Sequence, residues 1–375
     1  MYPFDANKLD RLMGDAGLDV LLASTRHNVR YLTGGYYYHF HANATRMGQT
    51  QYLPFVGVPR GRVEDAFFVC RAEERGQVEA AVPWISTRVE AMRGTLPAAE
   101  GAIKAISTLG LAAGTIGVEL PFVPADAYVA LQRGLPNARL VDATPVLDEL
   151  RAIKTPAELA LLRSVYGRVA EAIQAAFAAG RPGITTAEIA RAAEREIARR
   201  DMGFLYALVC AGPGTLRAPS PVRWERGRIL HIDAGGEVGD YLADICRMGC
   251  LGEPSTLARD LHAACIEVQG RVRHMVRPGV PCRELLAEGE RAVREHRFGP
   301  YGKFVAHGIG MVSHEQPHIS ATSARPLDVG MVLSIETDFI HPEVGHVKIE
   351  DAVAVTEGGC EGLGDLGRDW HVVPA

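Results

Sequence analysis

No stretch of the 375-residue sequence approaches the uninterrupted apolar run of roughly 18–20 residues that a membrane-spanning helix needs. The first residues, Met1-Tyr2-Pro3-Phe4-Asp5, lack the basic start and apolar stretch of a secretory signal, so a cytoplasmic location is the expectation. Basic residues are not gathered either. The formal net charge is −5 and Lys and Arg are scattered, which excludes the one-sided basic stripe of a nucleic-acid binder. A disulfide framework is missing as well: the seven cysteines, Cys70, Cys210, Cys246, Cys250, Cys265, Cys282 and Cys360, stand singly and are odd in number. Cys246 and Cys250 could form half a zinc site, but small apolar side chains in a strand and the turn after it is the better reading. There is no short-period repeat and no low-complexity tract.

What is present is ordinary for a soluble enzyme: 47% apolar residues and 23% charged. The length favours two domains and can bury a sizeable core. To about residue 145, helical stretches alternate with short apolar runs. Asp5–Leu18 reads as a helix and Val20–Ala23 as a strand. Asn28–Leu32 leads into a Gly34-Gly35 turn, and Ala66–Cys70 and Gly114–Glu119 are further strands. This is the pattern of an α/β domain with a central sheet. Between Tyr36 and Tyr52 an aromatic-rich segment carries His39 and His41. Two readings stand side by side: a binding loop reaching an active site, or a long surface hairpin with amphipathic rings.

The character changes near residues 146–153. Thr155-Pro156-Ala157-Glu158 combines a Thr N-cap, Pro in the first helical position and a Glu placed to complete a capping box. A long helix follows, and Thr185 and Thr186 open another over Ala187–Arg199. Two more helices are expected at about 255–276 and 282–296.

Chemistry concentrates in two later segments. Gly227–Gly235 and Tyr241–Gly249 alternate in polarity on either side of a Gly-rich stretch, the pattern of a β-hairpin. A turn centred between Val238 and Gly239 would set Asp233 directly opposite Asp244. Gly330–Phe339 and Val347–Val355 form a second such pair, and a turn centred near Glu343 would oppose Glu336 to Glu350. Cross-strand partners have Cβ atoms about 4.5–5.5 Å apart, and two bare carboxylates that close repel unless a cation lies between them. Desolvating each acid costs several kcal/mol, and divalent cations are the natural compensation. Ions that accept carboxylate oxygen and imidazole nitrogen together would take His307 as well, where Gly308 and Gly310 leave room for close backbone approach. Asp233, Asp244, His307, Glu336 and Glu350 are therefore the expected metal ligands of a two-metal hydrolytic site. The bland alternative, hairpin acids facing solvent beside a satisfied core histidine, fits each residue singly but not the five together.

These stretches, HIDAGG with YLADICR, AHGIG with HEQP, GMVLSIE and VKIEDAVAVT, resemble the pita-bread metallopeptidase family M24, in its aminopeptidase P and prolidase branch. The likeness is strong over roughly residues 150–365. The earlier part, including NVRYLTGGY, is similar to the creatinase/prolidase N-terminal domain. The resemblance implies an α+β architecture: a smaller creatinase-like α/β domain at 1–148, then a pita-bread catalytic domain at 149–375. It further implies two divalent ions, manganese first with zinc, iron or cobalt as substitutes, and a homodimer. A hydroxide held between the ions would act as nucleophile on a C–N bond, with Glu336 relaying its proton and His314 contacting the substrate and steadying developing charge.

Departures from the family pattern bear on substrate. Ala211–Pro221 contains no histidine where one is usual. Lys348 replaces an Arg two residues before the last Glu, Lys303 stands where His is frequent, and Ala306 replaces Gly beside His307. The leading expectation is an Xaa-Pro dipeptidase or aminopeptidase activity. The alternative is the same metal site acting on a small non-peptide substrate, as in ectoine hydrolase or a dimethylsulfoniopropionate lyase. A non-catalytic binding module is disfavoured by the intact ligand set.

Overall fold

The computed structural model describes residues 2–41 and 52–374. The chain forms two compact units, Met1–Arg151 and Ala152–Ala375. In the first, helices α1 (Ala6–Asp15), α2 (Arg26–Thr33), α3 (Arg75–Ala81), α4 (Thr95–Thr108), α5 (Ala125–Gly134) and α6 (Thr144–Arg151) accompany a six-stranded sheet. Its strands are β1 (Val20–Ala23), β2 (Phe55–Pro59), β3 (Phe67–Arg71), β4 (Thr87–Ala91), β5 (Thr115–Val118) and β6 (Arg139–Asp142), in the order β4-β3-β2-β1-β5-β6. The sheet is mixed: β1–β2 and β2–β3 are antiparallel, the other pairs parallel. The start of α2 is fastened by a buried acid. Glu119 accepts hydrogen bonds from the Thr25 backbone and hydroxyl (2.8 and 2.6 Å) and from the Asn28 side chain (2.6 Å).

Of the aromatic segment read as a binding loop or a surface hairpin, residues 42–51 lie outside the described residues. Its ends are tied to one group: the hydroxyls of Tyr36 and Tyr52 both donate to buried Glu74, at 2.7 and 3.0 Å.

In the second unit, α7 (Pro156–Ala178) begins as its sequence dictates. Thr155 caps the helix, Glu158 reaches back to the Thr155 N–H at 2.7 Å, and Pro156 opens it. A short pair of strands, β7 (Ile184–Thr185) and β9 (Arg223–Trp224), flanks α8 (Thr186–Ala198). The large sheet contains β8 (Gly203–Ala211), β10 (Ile229–Val238), β11 (Tyr241–Leu251), β12 (Gly302–Gly308), β13 (Val332–His341) and β14 (Gly345–Thr356). Its order is β12-β13-β14-β11-β10-β8. Two further strands join it: β15 (Gly359–Leu363) on β14 and β16 (His371–Val373) on β11. Helices α9 (Thr256–Met275) and α10 (Cys282–Glu295) complete the unit.

Successive strand residues point to opposite faces. One face is apolar and covered by helices. Ile232, Ala234, Ala243 and Ile245 pack with Val165 and Val169 of α7 and Ile189 of α8. Ile335, Val347 and Ile349 pack with Leu261 and Val268 of α9 and Leu285 of α10. Each fully buried aliphatic chain of this kind contributes roughly 1.5–3 kcal/mol. Ala306 belongs to this covered face, away from the acids.

One hairpin departs from expectation. Val238 pairs with Tyr241, so Asp233 lies opposite Cys246, and Asp244 opposite Gly235. Asp233 and Asp244 are thus diagonal neighbours, not direct partners. The turn is the two-residue Gly239-Asp240 with φ of 61° and 70°, the mirror-image geometry that suits the twist of a hairpin. Gly235 and Gly236 belong to β10, with a bulge between them toward β8. Gly235 is there for space: a Cβ would sit 2.6 Å from the Tyr206 ring. Cys250 also lies within β11, not in a turn. The second hairpin has the expected register, with Glu336 opposite Glu350.

Gly235→Ala is expected to destabilise the protein by about 1–3 kcal/mol through overpacking. Gly358→Ala, whose Cβ would meet nothing within 4 Å, should stay within about 0.5 kcal/mol. Denaturant unfolding of the two variants against the parent checks the contrast.

Candidate metal centre

The face of the large sheet opposite the helices carries the polar side chains. A lateral row crosses four strands: Asp233 opposite Cys246, Cys246 opposite Glu350, and Glu350 opposite Glu336. Asp244 is two residues on from Cys246 and His307 is opposite Ser334, two residues before Glu336, so both share this face one step along. The two hairpins meet through the single pairing Cys246–Glu350, which is where the acids converge.

All five expected ligands come together. Oxygen of Asp244, nitrogen of His307 and oxygen of Glu350 lie within 4.8 Å of one another, all buried. His307 Nε2 is 3.3 Å from Glu336 Oε1. Asp233 and Glu336 are joined to Glu350 by a group that the sequence reading left outside the site. The Lys348 ammonium is 2.7 Å from Asp233 Oδ2, 2.7 Å from Glu336 Oε2 and 2.7 Å from Glu350 Oε2. Arg217 adds a second positive charge on Asp233. The sequence expectation assigned all charge compensation to metal ions; the structure supplies part of it from side chains.

The electrostatics follow from burial and neighbours. Burial alone would discharge Lys348, but Glu350, Asp233 and Glu336 outweigh it and hold the ammonium well above the usual lysine range. Burial pushes the Glu350 carboxyl up to about 7, and pushes Asp244 well above the carboxylate range with help from Glu350 and Asp233. Burial also opposes ionisation of Glu336, yet His307 and Lys348 pull it down to about 2. Ser334 donates to Glu350 Oε1 at 2.8 Å, and the Tyr206 hydroxyl bonds Asp244.

The donor set fits a metal ion. Asp244 Oδ1 is buried with no hydrogen-bond partner among the described residues, and His307 Nε2 and Glu350 Oε2 have none beyond their ion pairs with Glu336 and Lys348. Such atoms are costly unless a ligand satisfies them. Two carboxylates and an imidazole suit a hard or borderline divalent ion. A second grouping, His231, Asp233 and Cys246, also brings ligand atoms within 4.8 Å. It is a poor cation site, because Arg217 and Lys348 already sit on Asp233.

His314 stacks on His307 with ring centroids 3.9 Å apart and an interplanar angle of 15°. Its turn is placed by two devices. Gly308 allows the 315–317 backbone to close on β12; a Cβ there would lie 2.4 Å from the Glu315 carbonyl oxygen. Glu315 pairs at 2.8 Å with Lys154, both side chains 1% exposed. A cavity of about 290 Å³ opens over the acids, its wall including Tyr206, Arg217 and His314.

Tyr206, Arg217 and Lys348 were not anticipated. Lys348 was within reach of sequence reasoning: it stands two residues from Glu350 in a strand and must share its face. Arg217 lies in an irregular stretch and Tyr206 meets Gly235 only through the β8–β10 register, so neither carried a local signal.

Carboxylates and an imidazole converging on an open cavity are the donor set of a metal-dependent hydrolase. Comparison with known proteins agrees and is more specific: residues 159–357 match the model of metallopeptidase family M24, and residues 6–153 that of the creatinase/prolidase N-terminal domain. The chain belongs to metallopeptidase family M24. It is 26% identical over 360 residues to the uncharacterized peptidase YqhT of Bacillus subtilis, covering 94% of this chain and 95% of that one. Identity to the Xaa-Pro dipeptidase of Pyrococcus furiosus is 29% over 230 residues, 60% of this chain and 66% of the relative. The fold is shared with the solved Xaa-Pro dipeptidase of Bacillus anthracis at a TM-score of 0.83 and 22% identity, over 98% and 100% of the two chains.

Asp244→Ala is expected to lower metal content after desalting by roughly tenfold or more. Elemental analysis measures it, with circular dichroism confirming an intact fold.

Proposed function

We propose that this metallopeptidase hydrolyses the C–N bond of short Xaa-Pro peptides. The observation that carries the reading is the small cavity set directly over the acid cluster, with His314 on its wall. The likeness in sequence to a protein described as an Xaa-Pro dipeptidase supports it. Asp244, His307 and Glu350 would hold the metal, with Glu336 and Asp233 beside them. A divalent ion bound there supplies Lewis acidity, polarising a carbonyl and acidifying water. Manganese is the ion to supply first, on family likeness.

The chain's own groups then have definite tasks. Glu336, kept ionised by His307 and Lys348, can take a proton at Oε1 or Oε2 as general base. The Ser313 hydroxyl lies 3.0 Å from His314 Nδ1; in the tautomer in which that hydroxyl donates, the imidazole proton sits on Nε2, where it can steady developing charge on a substrate oxygen. Burial and the neighbouring His307 lower the His314 pKa, so it serves as a neutral donor at neutral pH. Arg217, partly exposed on the cavity wall, offers its guanidinium to a substrate carboxylate, which favours dipeptides over long chains.

That arginine also favours a second reading. It lies in the 211–221 stretch that has no histidine, and it suits a small non-peptide molecule bearing a carboxylate. Ala-Pro and Gly-Pro should be hydrolysed with added Mn²⁺. Failure of both across Mn²⁺, Co²⁺, Zn²⁺ and Fe²⁺, in protein that has bound the metal, transfers the site to the second reading. In the active enzyme His314→Ala should lower kcat by about 10²–10³-fold while metal content stays at the parent level.

A further inference from the structure

The sheet face that holds the acids contains a resident cation where metal ions would be counted. Lys348 is 4% exposed, and its ammonium stands 2.7 Å from oxygens of Asp233, Glu336 and Glu350. An ammonium has three N–H donors, and three carboxylate oxygens surround this one. An ion bound by those same oxygens, at the 2.0–2.2 Å typical of metal–carboxylate contacts, would need the space that Nζ fills. Asp244 Oδ1 and His307 Nε2 are not among the ammonium's contacts and have no hydrogen-bond partner among the described residues beyond the ion pair of His307 with Glu336. Ligand atoms of Asp244, His307 and Glu350 converge within 4.8 Å, so Glu350 is the acid shared between that trio and Lys348.

The charge balance agrees. Fully ionised, as ligands of a cation would be, Asp233, Asp244, Glu336 and Glu350 bring four negative charges. Lys348 and Arg217 return two positive ones, leaving the deficit that one divalent ion cancels. A second divalent ion would leave the buried cluster with an excess of positive charge, next to an ammonium at bonding distance, where desolvated like charges repel most strongly.

We infer that this chain binds one divalent cation, on Asp244, His307 and Glu350, and that the Lys348 ammonium takes the place of a second. The inference rests on the reading of this cluster as a metal centre and narrows it: the expectation of two metal ions becomes one ion plus one fixed side-chain charge. Lys348 then acts as a positioning residue. It holds Asp233 and Glu336 in place with a charge that no chelator removes.

The test counts ions in the full-length protein. Chelator-stripped protein is titrated with Mn²⁺ by calorimetry, and the desalted product is measured by elemental analysis and electron paramagnetic resonance. The expected result is one Mn²⁺ per chain with the hyperfine pattern of an isolated ion. Lys348→Met removes the charge and keeps the aliphatic stem, and should bind two ions, with an exchange-coupled spectrum. Two ions in the parent protein, or a coupled spectrum there, would overturn the inference and leave the metal-centre reading intact. No ion in the parent would overturn both. One ion in both parent and variant would overturn the role given to Lys348. If the variant does not fold, the parent stoichiometry and spectrum decide alone.

Discussion

Four carboxylates share one face of one sheet, and three of them are almost wholly out of water. Removing each from solvent costs several kcal/mol unless a cation stands within contact distance. The polar arrangement around them follows from that cost. Lys348 lies among three of the acids, Arg217 on Asp233, Ser334 and Tyr206 fill remaining acceptor positions, and a set of unsatisfied donor atoms points to one place. The apolar face can be regular because the costly chemistry is confined to the other.

The sheet makes the confinement possible. Each hairpin alone could bring two acids together; only the junction of the two hairpins brings four. That junction is narrow, a single registered pair between Cys246 and Glu350. Beyond it the flanking strands β15 and β16 take up the free edges of β14 and β11. Cys246 is thus the small buried side chain over which acids from both hairpins meet, which accounts for a cysteine there without any ligand role.

Much of this was legible in the sequence. The capping box at Thr155–Glu158, the first helix, the helices of the second unit and the second hairpin follow local rules, and the direct opposition of Glu336 and Glu350 follows from where the chain turns. The first hairpin misled because Gly235 and Gly236 look like turn residues. Their lack of side chain serves packing against Tyr206 and neighbouring helices, a long-range fact that no local pattern carries. The source of positive charge was also only half legible. Four acids in apolar strands announce that compensation is needed; they do not say whether an ion or a lysine provides it. The alternation rule placed Lys348 on the right face, but only the fold shows its ammonium equidistant from three acids. Arg217 comes from an irregular stretch held to β8 by a backbone hydrogen bond from Val209 at 2.7 Å, a contact that no sequence periodicity announces.

Lys154 opens the second unit and is buried against Glu315, the residue next to His314. Its backbone N–H also donates to Gly330, just before β13, at 2.9 Å. One short segment therefore clamps two places at once: the turn bearing the cavity histidine and the root of the strand bearing Glu336. The clamp sits at the opening of the unit, not in the sheet, so displacement of residues 152–154 would be transmitted to both sides of the cavity together. The reactive groups are coupled mechanically by a linkage that touches none of them.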